Sequence, residues 1–276
     1  MHKLLGVLFA CTGLLMPGAL YAADLILTAP PREKAEAGRL LYSPLADHLS
    51  RLLGKQVRYV HPDSWLRYQR EMRDDKYDIV FDGPHFASWR MQHLGHVVVA
   101  RLPGKLQFML FTNRNDTGIT TSNDLIAKTF CGITPPNLST LTILGAFPNP
   151  ARQPQIRGIH GGGMPAVYQA FMRGECRAAV VRDTFYKKKL TDAQRQELKI
   201  IFEPAPLPNQ SITLSRRLNG HDAQLIMESL TLGEGIKASK EIVQRFGGKK
   251  AHSFIPARQE EFAGINTLLE GVIFGW

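Results

Sequence analysis

The chain has 276 residues and carries 34 Lys and Arg against 24 Asp and Glu, a formal charge of +10. Such a surplus biases the surface toward anions, whether nucleic acid, an anionic membrane face or a small anionic ligand. The basic residues are scattered through amphipathic segments without interleaved aromatics, which argues against nucleic acid, and the one short block, Lys187-Lys188-Lys189, reads as a solvated helix end.

At the N-terminus, His2 and Lys3 precede an apolar run at 4–15, and Ala-Leu-Tyr-Ala-Ala at 19–23 offers small residues for cleavage. Met16-Pro17-Gly18 interrupts the run well short of the ~20 residues a membrane span needs, so residues 1–23 read as a cleavable signal peptide. The alternative is acylation at Cys11, in Leu8-Phe9-Ala10-Cys11, disfavoured by the very short apolar core before it. No other stretch is long and apolar enough to span a bilayer. Export would remove one lysine and no acid, leaving +9, and would keep the chain away from nucleic acid.

A strand is expected at 25–28, ending at Ala29-Pro30-Pro31-Arg32. Leu40, Leu41, Leu45, Leu49, Leu52 and Leu53 recur at helical spacing, Gly54 stops that helix, and 56–60 alternates as a half-buried strand. A second helix at 65–73 precedes the apolar run 77–81, which suits a buried parallel strand. Ligands of open α/β sheets sit beyond the carboxyl ends of such strands, which marks Asp82-Gly83-Pro84-His85 as site-forming.

The β-like run at 107–113 is expected to cross into a second lobe, whose first helix starts at 120–125 with Ser122 as cap. Strands at 128–133, 155–159 and 178–181 then alternate with helices at 139–147 and 165–173, the rhythm of a small parallel sheet. Pro204-Ala205-Pro206-Leu207-Pro208 carries the chain back, and 223–231, 239–246 and 259–269 read as helices packing on the first lobe. The expected division is lobe 1 at 24–112, lobe 2 at 113–208 and a return to lobe 1 at 209–276.

Cys11 leaves with the signal, so Cys131 and Cys176 remain, either paired in an oxidising compartment or buried as free thiols. A bridge requires Cα atoms about 4.4–6.8 Å apart. No metal or other cofactor is expected, because the histidines show neither H-E-x-x-H nor paired Cys-x-x-Cys spacing.

The run YSPLADHLSRLLGKQV at 42–57, followed by YDIVFDGP at 77–84, resembles the phosphonate-, phosphate- and phosphite-binding family of ABC-transporter solute-binding proteins. TPPNLSTLTIL at 134–144, GGGMPAVYQAFMRGECRAAVVRD at 161–183 and EPAPLPNQSITLSRRL at 203–218 match in the same order, so the similarity covers roughly residues 24 to 218. The resemblance implies a two-lobe α/β periplasmic binding protein of type II, with two hinge crossings and a ligand cleft between the lobes. It implies a periplasmic monomer that captures a small oxyanion for an ABC permease. The alternative is a sensor that reports occupancy, possibly of a non-phosphorus ligand, to a membrane histidine kinase. An enzyme using Cys131 or His85 is disfavoured, since no activated Cys-His or Ser-His-acid arrangement is legible.

Candidate contacts follow from the resemblance and from the chemistry of the turns. In lobe 2, Asn137, Ser139 and Thr140 open a helix where hydroxyls and free N–H groups bind an oxyanion, or else form an ordinary cap; Leu141 and Thr142 replace the family's Gly-aromatic pair. After Gly161-Gly162-Gly163, Met164 stands where relatives carry a ligand-facing His, and His160 is either its substitute or a structural residue. Arg182 either clamps an anion or pairs with Asp183. In lobe 1, His85 and Asp82 follow the third strand; a carboxylate there repels an anion unless Arg neutralises it or a cationic part of the ligand meets it. Tyr42 either reaches the cleft or packs in the core. Gln210 is a neutral amide where relatives that prefer aminophosphonates carry an acid.

Overall fold

Two sheets, each with a parallel centre, organise the computed structural model, which describes residues 24–248 and 250–270. The signal segment and Cys11 lie outside the described residues. The first lobe opens with β1 (Leu25–Thr28), α1 (Ala35–Leu53), β2 (Val57–Tyr59), α2 (Trp65–Arg73), β3 (Ile79–Asp82), α3 (Pro84–Leu94) and β4 (Val97–Arg101). β1 pairs in parallel with β2 and β3. The apolar run of β3 is buried along its whole length, as a strand covered on both faces requires. α1 turns Gly38, Tyr42, Leu45, Ala46 and Leu49 inward and ends at Gly54, whose φ of 62° is the left-handed conformation that closes a helix.

β5 (Lys105–Leu106) crosses between lobes, and the second lobe follows as β6 (Phe108–Asn113), β7 (Thr129–Ile133), α4 (Leu138–Leu144), β8 (Gln155–Ile159), α5 (Gly163–Met172) and β9 (Ala178–Arg182). It finishes with α6 (Asp183–Lys189), α7 (Asp192–Gln196) and β10 (Leu198–Phe202). Its sheet runs β10-β6-β9-β7-β8, with β7 parallel to both β8 and β9. The lysine block 187–189 forms the exposed last turn of α6.

The return strand β11 (Leu207–Pro208) pairs antiparallel with β5, so the two crossings form a single ribbon between the lobes. β12 (Ser211–Leu214) then inserts between β3 and β4, antiparallel to both. α8 (Gly220–Leu232), α9 (Gly235–Ala238), α10 (Lys240–Gly247), β13 (Ile255–Pro256) and two single-turn 3-10 segments, Gln259–Glu261 and Ile265–Leu268, complete lobe 1. Its core joins Leu27, Leu45, Phe81, Ile212, Leu230 and Phe254.

Two sequence expectations are corrected. The run 107–113 is not the crossing: Phe108–Asn113 pairs on both sides inside the second sheet, and its first five residues are buried, too apolar for an exposed link. The crossing is the shorter β5, so the second sheet begins some five residues before the expected boundary at 113. Residues 259–269 do not form one helix, because Gly264 adopts a left-handed φ of 77° between the two 3-10 turns.

Lobe 2 has apolar packing on both faces of its sheet. One face gathers Met109, Phe111, Val167 and Val181 around the Cys131–Cys176 disulfide, whose Cα atoms lie 5.7 Å apart. The cysteines are therefore paired. The other face gathers Leu110, Phe130, Leu138, Ile143 and Val180. A smaller cluster joins the lobes: Leu141 of α4 packs with Tyr68, Met72, Phe86 and Trp89 of lobe 1 and with Leu269.

Candidate functional site

The connections that follow β1, β2 and β3 and the start of β12 form one edge of lobe 1, and those that follow β7, β8 and β9 form the corresponding edge of lobe 2. Carboxyl edges of this kind are where open α/β sheets bind ligands. His85 joins the two edges directly: its Nε2 lies 3.1 Å from the Pro136 carbonyl oxygen, a buried contact from the start of α3 to the turn before α4. That acceptor requires the proton on Nε2, leaving Nδ1 bare, and Nδ1 is buried without a partner. Burial pushes the His85 pKa down to about 4, so the ring is neutral near pH 7.

Asp82 is fully buried, and both of its oxygens are held from inside lobe 1. Arg90 Nη1 and Nη2 donate to Oδ2 and Oδ1 at 2.7 Å each, and the Tyr68 hydroxyl also donates to Oδ2. Thr213 Oγ1 accepts from Arg90 Nη2 at 2.7 Å and from Nε at 3.1 Å. Burial alone would lower the Arg90 pKa, but Asp82 and Tyr68 outweigh it and hold the guanidinium charged. Of the two conditions under which a carboxylate here tolerates an anion, the structure supplies neutralisation by arginine.

Tyr42 packs in the core of lobe 1, the second of the two readings the sequence left open. Its ring is buried, 5.0 Å from the Tyr59 centroid and 6.2 Å from Phe81, while its hydroxyl has no hydrogen-bond partner. Burial pushes its pKa up to about 12, with nearby Arg32 pulling the other way, so the phenol stays protonated. Gln210 spends its side-chain oxygen on Arg32, accepting from Nη1 at 2.6 Å. Ser211, next along, has a buried hydroxyl without a partner.

In lobe 2, Asn137, Ser139 and Thr140 are brought together as a closed turn. Asn137 Oδ1 accepts from the Ser139 backbone N–H at 3.1 Å and from its hydroxyl at 2.7 Å. The Thr140 hydroxyl donates to the Ile133 carbonyl at 2.6 Å, and both Ser139 and Thr140 are fully buried. The cap is thus present, and these hydroxyl protons go to protein acceptors. Met164 packs against the core around the disulfide rather than standing free. His160 is exposed at the end of β8, beside glycines 161, 162 and 163, all with positive φ. Arg182 ends β9 with its Nε buried and unpartnered; burial lowers its pKa, while Asp183 acts against that. Asp183 itself lies 3.6 Å from Lys187 Nζ.

The sequence reading passed over Arg32 and Ser211. Both sit at the carboxyl edge of lobe 1, and applying the edge rule to the turn after β1 as well as after β3 would have found Arg32. Among the described residues no group of three or more His, Cys, Asp or Glu is placed to hold a metal ion, and no helix is long and apolar enough to cross a membrane.

Residues 27–262 match the family model described as the periplasmic substrate-binding protein of the phosphonate ABC transporter. The chain belongs to this family, whose members are periplasmic substrate-binding components of transporters and not enzymes. Solved structures share the fold. XAC2383 from Xanthomonas citri bound to ATP is 14% identical at a TM-score of 0.69, covering 91% of this chain and 100% of that one. PhnD1 from Prochlorococcus marinus in complex with methylphosphonate is 16% identical at 0.61, covering 89% and 96%. A binding protein component of an ABC phosphonate transporter, PA3383 from Pseudomonas aeruginosa, is 14% identical at 0.57, covering 89% and 85%. These are type II periplasmic binding protein folds, as the two-lobe pattern of the sequence predicts. No curated protein is detectably similar in sequence.

Proposed function

We propose that the protein, as a monomer, captures a small anionic ligand of the phosphonate, phosphate or phosphite class between its lobes and delivers it to an ABC permease. The observation that carries this reading is the charge balance at the two edges. Asp82, the carboxylate that ends β3, is neutralised by Arg90, whereas Arg182 Nε and the Tyr42 hydroxyl are buried donors with nothing to donate to. Each unsatisfied buried donor costs about 1–3 kcal/mol, which an acceptor-rich ligand would recover. An oxyanion offers several lone pairs to these donors, so it suits them better than a cationic solute. The ligands named for similar folds, methylphosphonate and ATP, are likewise phosphorus oxyanions.

The ribbon of β5 and β11 supports closure of the lobes upon the ligand, since a two-strand crossing permits rotation without breaking either sheet. The test is a thermal-shift series with phosphate, phosphite, methylphosphonate, sulfate and a neutral sugar. A ligand at 100 times its dissociation constant adds about 2.7 kcal/mol to stability. A shift with a phosphorus oxyanion and none with the sugar is expected; a shift with none of the anions overturns the reading. Ligand uptake by vesicles bearing a candidate ABC permease, with and without the protein, tests delivery.

A further inference from the structure

Arg32 holds a positive charge at the carboxyl edge of lobe 1 and has no carboxylate within ion-pair distance among the described residues. It is held by neutral groups instead. Its Nη1 donates to Gln210 Oε1 at 2.6 Å, and its guanidinium carbon lies 4.6 Å from the Phe246 ring centroid and 5.8 Å from that of Phe81. The acid next in the chain, Glu33, pairs with Arg245, its Oε1 lying 2.8 Å from Arg245 Nη2, while its Oε2 is buried without a partner. Arg32, Glu33 and Arg245 therefore leave one net positive charge at this corner. Beside it is the buried Tyr42 hydroxyl, whose oxygen faces Arg32 and whose proton has no acceptor.

A guanidinium fixed by an amide oxygen and two aromatic faces keeps its planar fork oriented while its remaining N–H groups stay available. On the opposite lobe, Arg182 ends β9 with no ion-pair partner of its own. Closing the lobes brings two unneutralised cations toward one another, which is unfavourable unless the ligand supplies negative charge on both sides.

We propose that Arg32, oriented by Gln210 and joined by the Tyr42 hydroxyl, forms a subsite for a second anionic group. The preferred ligand is then a small molecule with two separated anionic groups, such as a phosphonate that also carries a carboxylate. Gln210 acts as a positioning residue. An ammonium group at this place meets like charge and is rejected. The proposal rests on the reading of the cleft as an anion site.

Calorimetric titration with methylphosphonate, phosphonoacetate and 2-aminoethylphosphonate tests it on the wild type, Arg32→Gln and Gln210→Glu. Arg32 is exposed, so both variants are expected to fold, and a melting curve for each verifies it. In the wild type, phosphonoacetate binds about tenfold or more tightly than methylphosphonate, and 2-aminoethylphosphonate binds most weakly. Arg32→Gln brings the first two within about threefold of each other, and Gln210→Glu, which places a carboxylate against Arg32, does the same. The readout is the ratio between ligands, which a merely structural change would not move. If methylphosphonate binds but phosphonoacetate gains nothing, or its advantage survives Arg32→Gln, the subsite is wrong while the cleft reading stands. If none of the three binds, the subsite falls, and the cleft reading falls with it if phosphate and phosphite also fail to bind.

Discussion

Asp82 and Arg90 form a two-pronged ion pair wholly inside lobe 1, with both N–O distances 2.7 Å and neither side chain more than 1% exposed. The pair ties the last residue of β3 to the middle of α3, and Thr213 on β12 accepts from the same guanidinium. It neutralises the buried carboxylate at the carboxyl edge of lobe 1.

Removing one partner leaves an unpaired buried charge. Asp82→Asn or Arg90→Met is expected to destabilise the protein by about 3–5 kcal/mol, whereas Asp82→Leu combined with Arg90→Met should recover much of that loss. Urea unfolding midpoints for the two singles and the double decide this. Singles that lose under about 1 kcal/mol would contradict the pair's role.

The Cys131–Cys176 bridge closes a loop with a sequence separation of 45 residues in the lobe 2 core. Loop-closure entropy for that length is about 4 kcal/mol, with measured values for such bridges commonly lower. Cys131→Ala with Cys176→Ala should lower the melting temperature clearly, and alkylation of the unreduced native protein should label neither cysteine. Two labels on the unreduced protein would show free thiols.

Acid should destabilise the fold through two histidines. Burial pushes both His85 and His96 down to about 4; for His96, Arg90 adds to this and Asp75 opposes it. Between that value and the unfolded pKa of about 6.5, the unfolded chain binds protons that the folded chain refuses. Stability is therefore complete above about pH 6.5 and falls as the pH drops toward 4, by up to roughly 3 kcal/mol per histidine. His85→Asn should flatten part of this slope in melting curves taken from pH 7 to 4. An unchanged slope would remove His85 from the account.

Arg182→Gln should weaken methylphosphonate binding about tenfold and make it less sensitive to salt, while leaving the melting temperature within a degree or two, because the arginine makes no ion pair to lose. Unchanged affinity would return Arg182 to a structural role.

Local pattern determined much of this protein. Helical spacing from Leu40 to Leu53 with its Gly54 stop, the buried run ending at Phe81 and the β–α alternation from residue 128 to 181 all record contacts that recur every two to four residues, and such contacts leave a period in the chain. The turns that end strands could likewise be marked as site-forming, since chain direction alone fixes which end of a parallel strand they occupy. Tertiary structure decided what the side chains at those turns do. Asp82 was visible as an acid at the carboxyl edge of lobe 1, but its neutralisation depends on Arg90 and on Thr213, more than 120 residues away from that arginine. Gln210 looked like a missing acid until Arg32, 178 residues earlier, was found against it, and Cys131 met Cys176 only when β7 and the start of β9 came side by side. These pairings have no period to betray them, because each is a single contact created by the stacking of strands that are distant in sequence.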